Sequence, residues 1–332
     1  IRVLYVVLVM NYCCAFVFKQ YNTYKIDYNY THETRRNTMQ TLPHTANDAY
    51  TIAHSPDADD IFMYYAIAFG WVDTPHKLIN SALDIETLNV ACLQGLYDIS
   101  AISFSLYPHI CNEYALLRTG MSFGEGYGPK MVKRKNAKLK RNFKVALSGE
   151  HTTNAMLFRI YYPNARVVYK NFLEIEQSVL SGEVDAGVLI HESILNFSNE
   201  LEVETYIWDI WQELCKDDLP LPLGGMALRR SIPLNRAIML EEVLTRAIQI
   251  GLKHKDILTK MLLENNLVRI NAKELDIYLQ LYANENSHTL STEQTKALER
   301  LYEIGYNHKI YKNLINIEKF LIPSDYINVR YS

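Results

Sequence analysis

The sequence predicts an α/β protein of two lobes built to one plan, with a ligand cleft between them. Three observations carry that expectation. Ile52-Ala53-His54-Ser55-Pro56-Asp57, running into Ile61-Phe62-Met63, is echoed 93 positions on by Val145-Ala146-Leu147-Ser148-Gly149-Glu150, running into Ala155-Met156-Leu157. Leu93-Gln94-Gly95-Leu96-Tyr97-Asp98-Ile99-Ser100-Ala101-Ile102-Ser103 is echoed 87 positions on by Leu180-Ser181-Gly182-Glu183-Val184-Asp185-Ala186-Gly187-Val188-Leu189-Ile190. Glycine and proline concentrate at two separated points, 120–132 and 219–225, as a pair of crossings between lobes requires. Two similar α/β lobes bury their apolar faces separately and leave a crevice where a ligand can sit.

Taken in order, each copy reads as strand, tight polar turn, helix, then helix, glycine, acidic turn, strand. In the first copy Asp84 can cap a helix whose Ile85, Leu88 and Cys92 share one face, and Gly95 supplies the left-handed residue that stops it. The charge-free run 99–104 then reads as a strand. The second copy repeats this with Ile175, Val179 and Leu180 on the helix face, Gly182 as the stop and 186–190 as the strand. Uninterrupted apolar runs of this kind suit parallel strands covered on both faces. The stretch 120–132, with Gly124, Gly126, Gly128 and Pro129, reads as the outward crossing. Leu219-Pro220-Leu221-Pro222-Leu223-Gly224-Gly225 reads as the return, and the glycines of both are the expected hinges. Beyond it, 241–253 carries Leu244, Ile248 and Leu252 on one helical face, and Ser291 with Gln294 forms a capping box for a helix expected to end at Gly305. The expected organisation is therefore a leader at 1–48, a discontinuous first lobe of 49–130 plus 226–332, and a second lobe of 131–225 inserted between the crossings.

The chain has 332 residues, about two domains' worth. Residues 1–38 begin with Ile, carry an apolar stretch from Val3 to Met10 and continue without helical or strand period. They read as a non-native extension ahead of Met39, as a signal peptide, or as an accessory segment. A lone Arg before the apolar stretch and no small-x-small cleavage site weaken the signal reading. A net charge of −3 leaves no electrostatic footprint for nucleic acid. The basic run 130–141 reads as a solvated strand-to-strand connection. Outside the leader the cysteines are Cys92, Cys111 and Cys215, an odd and scattered set, which argues against a disulfide framework or zinc site and weakly for a reducing compartment. No apolar run reaches the roughly 18 residues of a membrane span.

In open α/β sheets ligands collect beyond the carboxyl ends of the strands. Those ends are Ser103-Phe104-Ser105 and His191-Glu192-Ser193. His191 is the sharpest candidate, a base that can exchange a proton near neutral pH, although position alone also allows a structural histidine. Glu192 reads as solvent-facing, or as orienting a partner. The turn Gly149-Glu150-His151-Thr152-Thr153-Asn154 offers backbone N–H groups and two hydroxyls at a helix start, a place for a carboxylate. The equivalent turn, Ser55-Pro56-Asp57-Ala58-Asp59-Asp60, carries three acids, best explained by the helix macrodipole; no second ligand cluster supports a metal. Tyr64, Tyr65, Tyr161 and Tyr162 read mostly as packing.

Ser55-Pro56 with Asp60, Gly149-Glu150-His151-Thr152-Thr153, the run Gly182-Glu183-Val184-Asp185-Ala186-Gly187 leading to Ile190-His191-Glu192-Ser193, and Leu219-Pro220-Leu221-Pro222-Leu223-Gly224-Gly225 together resemble the 1,4-dihydroxy-6-naphthoate synthase family of the futalosine route to menaquinone. The resemblance covers about 51–230 well and the helical tail loosely. It implies a fold like the type 2 periplasmic binding proteins, used as a cytoplasmic lyase without metal or organic cofactor. The implied substrate is cyclic dehypoxanthinyl futalosine, cleaved to 1,4-dihydroxy-6-naphthoate and dihydroxyacetone. It further implies His191 as general base, with Ser55, Ala101, Ile102, Ser103, Thr152, Thr153 and Asn154 in the substrate site. The family's first turn is commonly Ser-Pro-Cys-Pro-Asn-Asp-Thr, where this chain has Ser55-Pro56-Asp57-Ala58-Asp59-Asp60-Ile61, and a lysine frequent before the first-lobe serine is Ala101 here. Two other readings stay open: chorismate dehydratase of the same pathway, and a transporter's solute-binding protein.

Overall fold

The computed structural model describes residues 49–283 and 287–323, so the leader and its three readings lie outside the described residues. The first copy folds as β1 (Ala49–His54), α1 (Ala58–Ala68), β2 (Lys77–Ala82), α2 (Ile85–Leu93) and β3 (Ile99–Ser103). Asp84 caps α2 through the Thr87 N–H, and Gly95 closes the helix at φ 65°. After a short helix α3 (Tyr107–Ile110), strands β4 (Tyr114–Leu116) and β5 (Ser122–Gly124) lead to the first crossing. The second lobe opens with β6 (Lys130–Arg134) and repeats the plan: β7 (Lys144–Leu147), α4 (Thr153–Tyr161), β8 (Arg166–Tyr169), α5 (Phe172–Leu180) and β9 (Ala186–Leu189). It closes with β10 (Leu201–Tyr206) and α6 (Ile207–Cys215).

The first sheet has the order β2-β1-β3-β11-β4, with β5 also on β11 (Leu221–Arg229); the second has β10-β6-β9-β7-β8. In each lobe three parallel strands of one βαβαβ unit meet an antiparallel strand delivered by a crossing, β11 beside β3 and β6 beside β9. The echo extends to register. Ile52 pairs with Ile99 and Val145 with Ala186, equivalent residues in equivalent ladders. Strands β3 and β9 are buried along their whole length, because helices or the opposite lobe cover both faces.

Several expectations change. The return crossing is complete by Leu221, because 221–225 already belong to β11 of the first sheet, so the second lobe ends before residue 225. Gly224 and Gly225 are paired with Ser103 and Ile102 rather than forming a loose hinge. A Cβ at Gly225 would press on the Phe104 ring at 2.8 Å, and one at Gly224 on the Ile102 carbonyl oxygen at 2.8 Å. Packing, not freedom of rotation, requires glycine there. The basic run is partly strand β6. Lys133 of that strand meets Glu204 of β10, and only the remainder is a connection. The long tail helix α7 starts at Leu234, directly after Pro233. It is followed by α8 (Lys255–Glu264), α9 (Ala272–Tyr282) and α10 (Thr292–Asn307). The Ser291 capping box is present, but α10 runs past Gly305, which is glycine because the Tyr311 ring lies where a side chain would go. Helix α7 packs on α1, with the Phe62 ring against Gly251. Helix α10 touches both β11 and α6, so the tail buttresses both lobes.

Candidate active site between the lobes

The carboxyl ends of β1 and β3 face those of β7 and β9 across a cavity of about 110 Å³. The first lobe contributes Ser55, Asp59, Asp60, Ala101, Ile102 and Ser103 to its wall. The second contributes Thr152, Thr153, Asn154, Ile190 and His191, and Tyr278 and Tyr282 of α9 close one side. Asn89 of α2 fixes Ser103 at both its N–H and its hydroxyl, at 2.9 and 3.0 Å.

His191 follows β9 after one residue, Ile190, and has φ 53°, in the left-handed region. A non-glycine residue held there costs on the order of 1–3 kcal/mol and persists only where its surroundings fix it. They do. Nδ1 meets Asp57 Oδ2 at 2.9 Å, and the ring sits edge-on to Phe172 at 5.1 Å. The other nitrogen, Nε2, is buried without a protein partner. With Nδ1–H committed to a carboxylate, Nε2 is the nitrogen left to exchange a proton with a bound molecule. Burial works against a charged ring, but the Asp57 carboxylate, with Glu192 and Asp59 behind it, outweighs burial and lifts the imidazole to about 9.

Asp57 occupies the N-cap position of α1 yet makes no cap bond. Its carboxylate accepts from the Ser55 hydroxyl, from His191 and from Arg269. Burial alone would raise this carboxyl; the His191 and Arg269 charges win and hold it below the usual range. The vacant cap is filled from the opposite lobe. Glu192 Oε1 accepts the Ala58 N–H at 3.0 Å, and Oε2 accepts from Arg269 at 2.9 Å. Glu192 is thus 6% exposed rather than solvent-facing, because it caps a helix of the other lobe. Arg269, in the loop between α8 and α9, lies over the Phe172 ring at 5.0 Å and joins Asp57 to Glu192.

Asp59 is 8% exposed and accepts from the Tyr278 hydroxyl at 3.3 Å. Burial, then the neighbouring Asp57 charge, pushes its carboxyl up to about 6. Asp60 accepts the Ser55 N–H at 2.8 Å and is raised further, by burial and by Asp59. The acids of this turn are therefore not simply a solvated answer to the helix dipole. Among the described residues no group of three or more His, Cys, Asp and Glu could hold a metal ion.

The second-lobe turn is already occupied by protein. Thr152 caps α4 through the Ala155 N–H, while the Thr153 hydroxyl donates to the Leu223 carbonyl at 3.0 Å and accepts the Ser105 N–H at 3.2 Å. The backbone N–H of His151 donates to Glu86 of α2 at 3.1 Å, and the His151 ring meets the same carboxylate at 2.7 Å. Glu86 packs so closely on Gly149 that no side chain fits there. Asn154, 7% exposed, keeps its Oδ1 without a partner at the cavity wall. No local spacing in the sequence marks Glu86, Arg269 or Tyr278, since each acts across a fold-level gap.

A family model described as menaquinone biosynthesis matches residues 50–307. A relative named 1,4-dihydroxy-6-naphthoate synthase, from Thermus thermophilus, is 30% identical over 77% of this chain and 93% of its own length. The crystal structure of an Archaeoglobus fulgidus protein, 30% identical, superposes with a TM-score of 0.74 over 81% of this chain and all of that one. The periplasmic aliphatic sulphonate binding protein of Escherichia coli shares only 11% identity but matches at a TM-score of 0.56 over 83% of this chain and 92% of its own, which shows a common fold.

Proposed function

The chain belongs to the menaquinone biosynthesis family, and from that premise we propose that it is a carbon–carbon lyase acting on cyclic dehypoxanthinyl futalosine. The products are 1,4-dihydroxy-6-naphthoate and dihydroxyacetone. The observation that carries this reading is His191. Its Nδ1 is tied to Asp57, and its unpartnered Nε2 is at the wall of a cavity enclosed by both lobes. In the neutral form of His191, Nε2 removes a proton from the carbohydrate part of the substrate, and the carbon–carbon bond breaks as the ring system becomes aromatic. A positioned base of this kind contributes roughly 10²–10⁴-fold in rate. The start of α4, where Thr153 and Asn154 line the cavity, places the positive end of a helix dipole beside the developing negative charge.

Purified protein mixed with cyclic dehypoxanthinyl futalosine is expected to release the naphthoate and dihydroxyacetone in equal amounts, and none of the 3-enolpyruvylbenzoate that a chorismate dehydratase makes from chorismate. His191→Ala should lower turnover by about 100-fold or more while its circular dichroism stays that of the wild type. Near-normal naphthoate production by a folded His191→Ala protein rules out the base assignment.

A further inference from the structure

A base removes a proton, and the cleavage must also return one. The two products together contain every atom of the substrate, so the reaction takes up neither water nor electrons. The pair of electrons released from the carbon–carbon bond ends on the departing three-carbon fragment, which needs a proton to leave as neutral dihydroxyacetone.

Four charged groups meet beside the cavity in two matched pairs, Asp57 with His191 and Glu192 with Arg269, with Arg269 also bridging to Asp57. Asp59 stands outside this balance. It is at the cavity wall, faces Asp57 and Glu192 as anions and His191 as a cation, has Asp60 beside it on α1, and meets Tyr278 and Tyr282 of α9. The Tyr278 hydroxyl is its close polar contact, and a neutral phenol cannot neutralise a carboxylate. Asn154 Oδ1 and His191 Nε2, both buried and unpartnered at the wall of the same cavity, mark it as a place built for a polar ligand.

Resting on the lyase reading above, we propose that Asp59 is the proton donor of the cleavage, working opposite the His191 base. The Asp59 O–H bond breaks as an O–H bond forms on the enolate oxygen of the departing fragment. The fragment leaves as the enediol form of dihydroxyacetone, Asp59 is left as a carboxylate, and the proton taken up by His191 restores it across the shared cavity. The burial that keeps Asp59 protonated to about pH 6 supports this role. Asp57 and Asp59 are both acids, so one can stay ionised beside His191 while the other holds the proton.

The test is the pH profile. An acid ionising near 6 and a base near 9 must both be in their less common forms at intermediate pH, and the opposing changes cancel. Wild-type turnover should be flat between about pH 6 and about 9, falling on either side. Asp59→Asn keeps the size and the acceptor for Tyr278. It should lose about 100-fold in kcat at pH 7, with little change in KM, and should climb through the former plateau to level off above about 9. A wild-type rate that rises steadily to pH 9, or a folded Asp59→Asn protein with unchanged kcat and a plateau, overturns the proposal. If wild-type protein forms no naphthoate, the lyase reading itself fails, and infrared spectroscopy still decides the state of Asp59. Because Asp60 is raised as well, the readout is the difference spectrum of wild type minus Asp59→Asn, in which the carbonyl stretch of a protonated carboxyl should be present at pH 5 and titrate near 6. Its absence overturns the proposal.

Discussion

At the scale of single residues, the site depends on one pair that spans the lobes. His191 carries its proton at neutral pH in the closed, substrate-free protein because Asp57 outweighs burial. Replacing Asp57 by Asn removes that charge, so the imidazole should titrate at lower pH and the limb assigned to His191 should move down from about 9. At the same time the ring loses what holds its tautomer and its left-handed backbone, and turnover should fall by up to about 10⁴-fold, the cost of a base histidine held in the wrong tautomer. Stability follows the same linkage. His191 is raised above its ordinary 6.5, so its contribution is full below 6.5 and is lost as pH rises through about 9. Asp57 is depressed below 3.8, so its contribution is present above that value and lost in stronger acid. The melting-temperature deficit of Asp57→Asn should therefore be widest between about pH 4 and 6.5 and narrow toward pH 9. A deficit constant across that range would show that the pair is not ionic. The sequence made His191 legible, since an apolar strand ending in His at a sheet's carboxyl edge is a local signal. Its partner was not legible, because 134 residues separate Asp57 from His191 and no periodicity joins them.

At the scale of elements, what the sequence showed well were the buried strands and the helix stops. Strands β3 and β9 are charge-free runs after a left-handed glycine, at φ 65° in Gly95 and 79° in Gly182. What it hid were the edge strands. β2 and β8 are half-exposed along their length, and their apolar pairs, Leu78-Ile79 and Val167-Val168, are too short to read as strands. The glycines of β11 misled for another reason. Gly-Gly after a proline-rich stretch looks like a hinge, whereas here the missing side chains let β11 lie against β3 and Phe104. Gly225→Ala should accordingly act through stability. Overpacking of this kind costs about 1–3 kcal/mol, or roughly 1–5 °C in melting temperature for a protein of this size. Gly126 is a useful control. It sits at φ 75° with nothing where a side chain would go, so Gly126→Ala carries only the backbone cost of about 1–2 kcal/mol. A Gly225→Ala protein as stable as wild type but slow in turnover would restore the hinge explanation.

At the scale of the whole molecule, the lobes are held shut by contacts that contain no substrate. Asp57 meets His191, Glu192 caps α1 and binds Arg269, and Glu86 fills the turn at His151. The cavity they enclose, about 110 Å³, is smaller than the roughly 300 Å³ at which ligand pockets commonly begin. On the lyase reading, a substrate with a ring system and a carbohydrate part fits once the lobes part further, and closing them again assembles the Asp57–His191 pair around it. Glu86 offers a handle on this balance, because it bridges the lobes without lining the cavity. A charge-assisted hydrogen bond of its kind contributes about 1.5 kcal/mol or more, so Glu86→Ala should raise the ratio of open to closed protein roughly tenfold. Substrate must then supply that closure itself. KM should rise by up to about tenfold while kcat stays near wild type, and the radius of gyration of the substrate-free variant, from small-angle scattering, should increase and return on adding product. Equal KM and equal scattering in the two proteins would mean that the Glu86–His151 contact does not govern opening, and that closure rests on the remaining contacts between the lobes, among them Glu192 on α1, Arg269 and the Asp57–His191 pair.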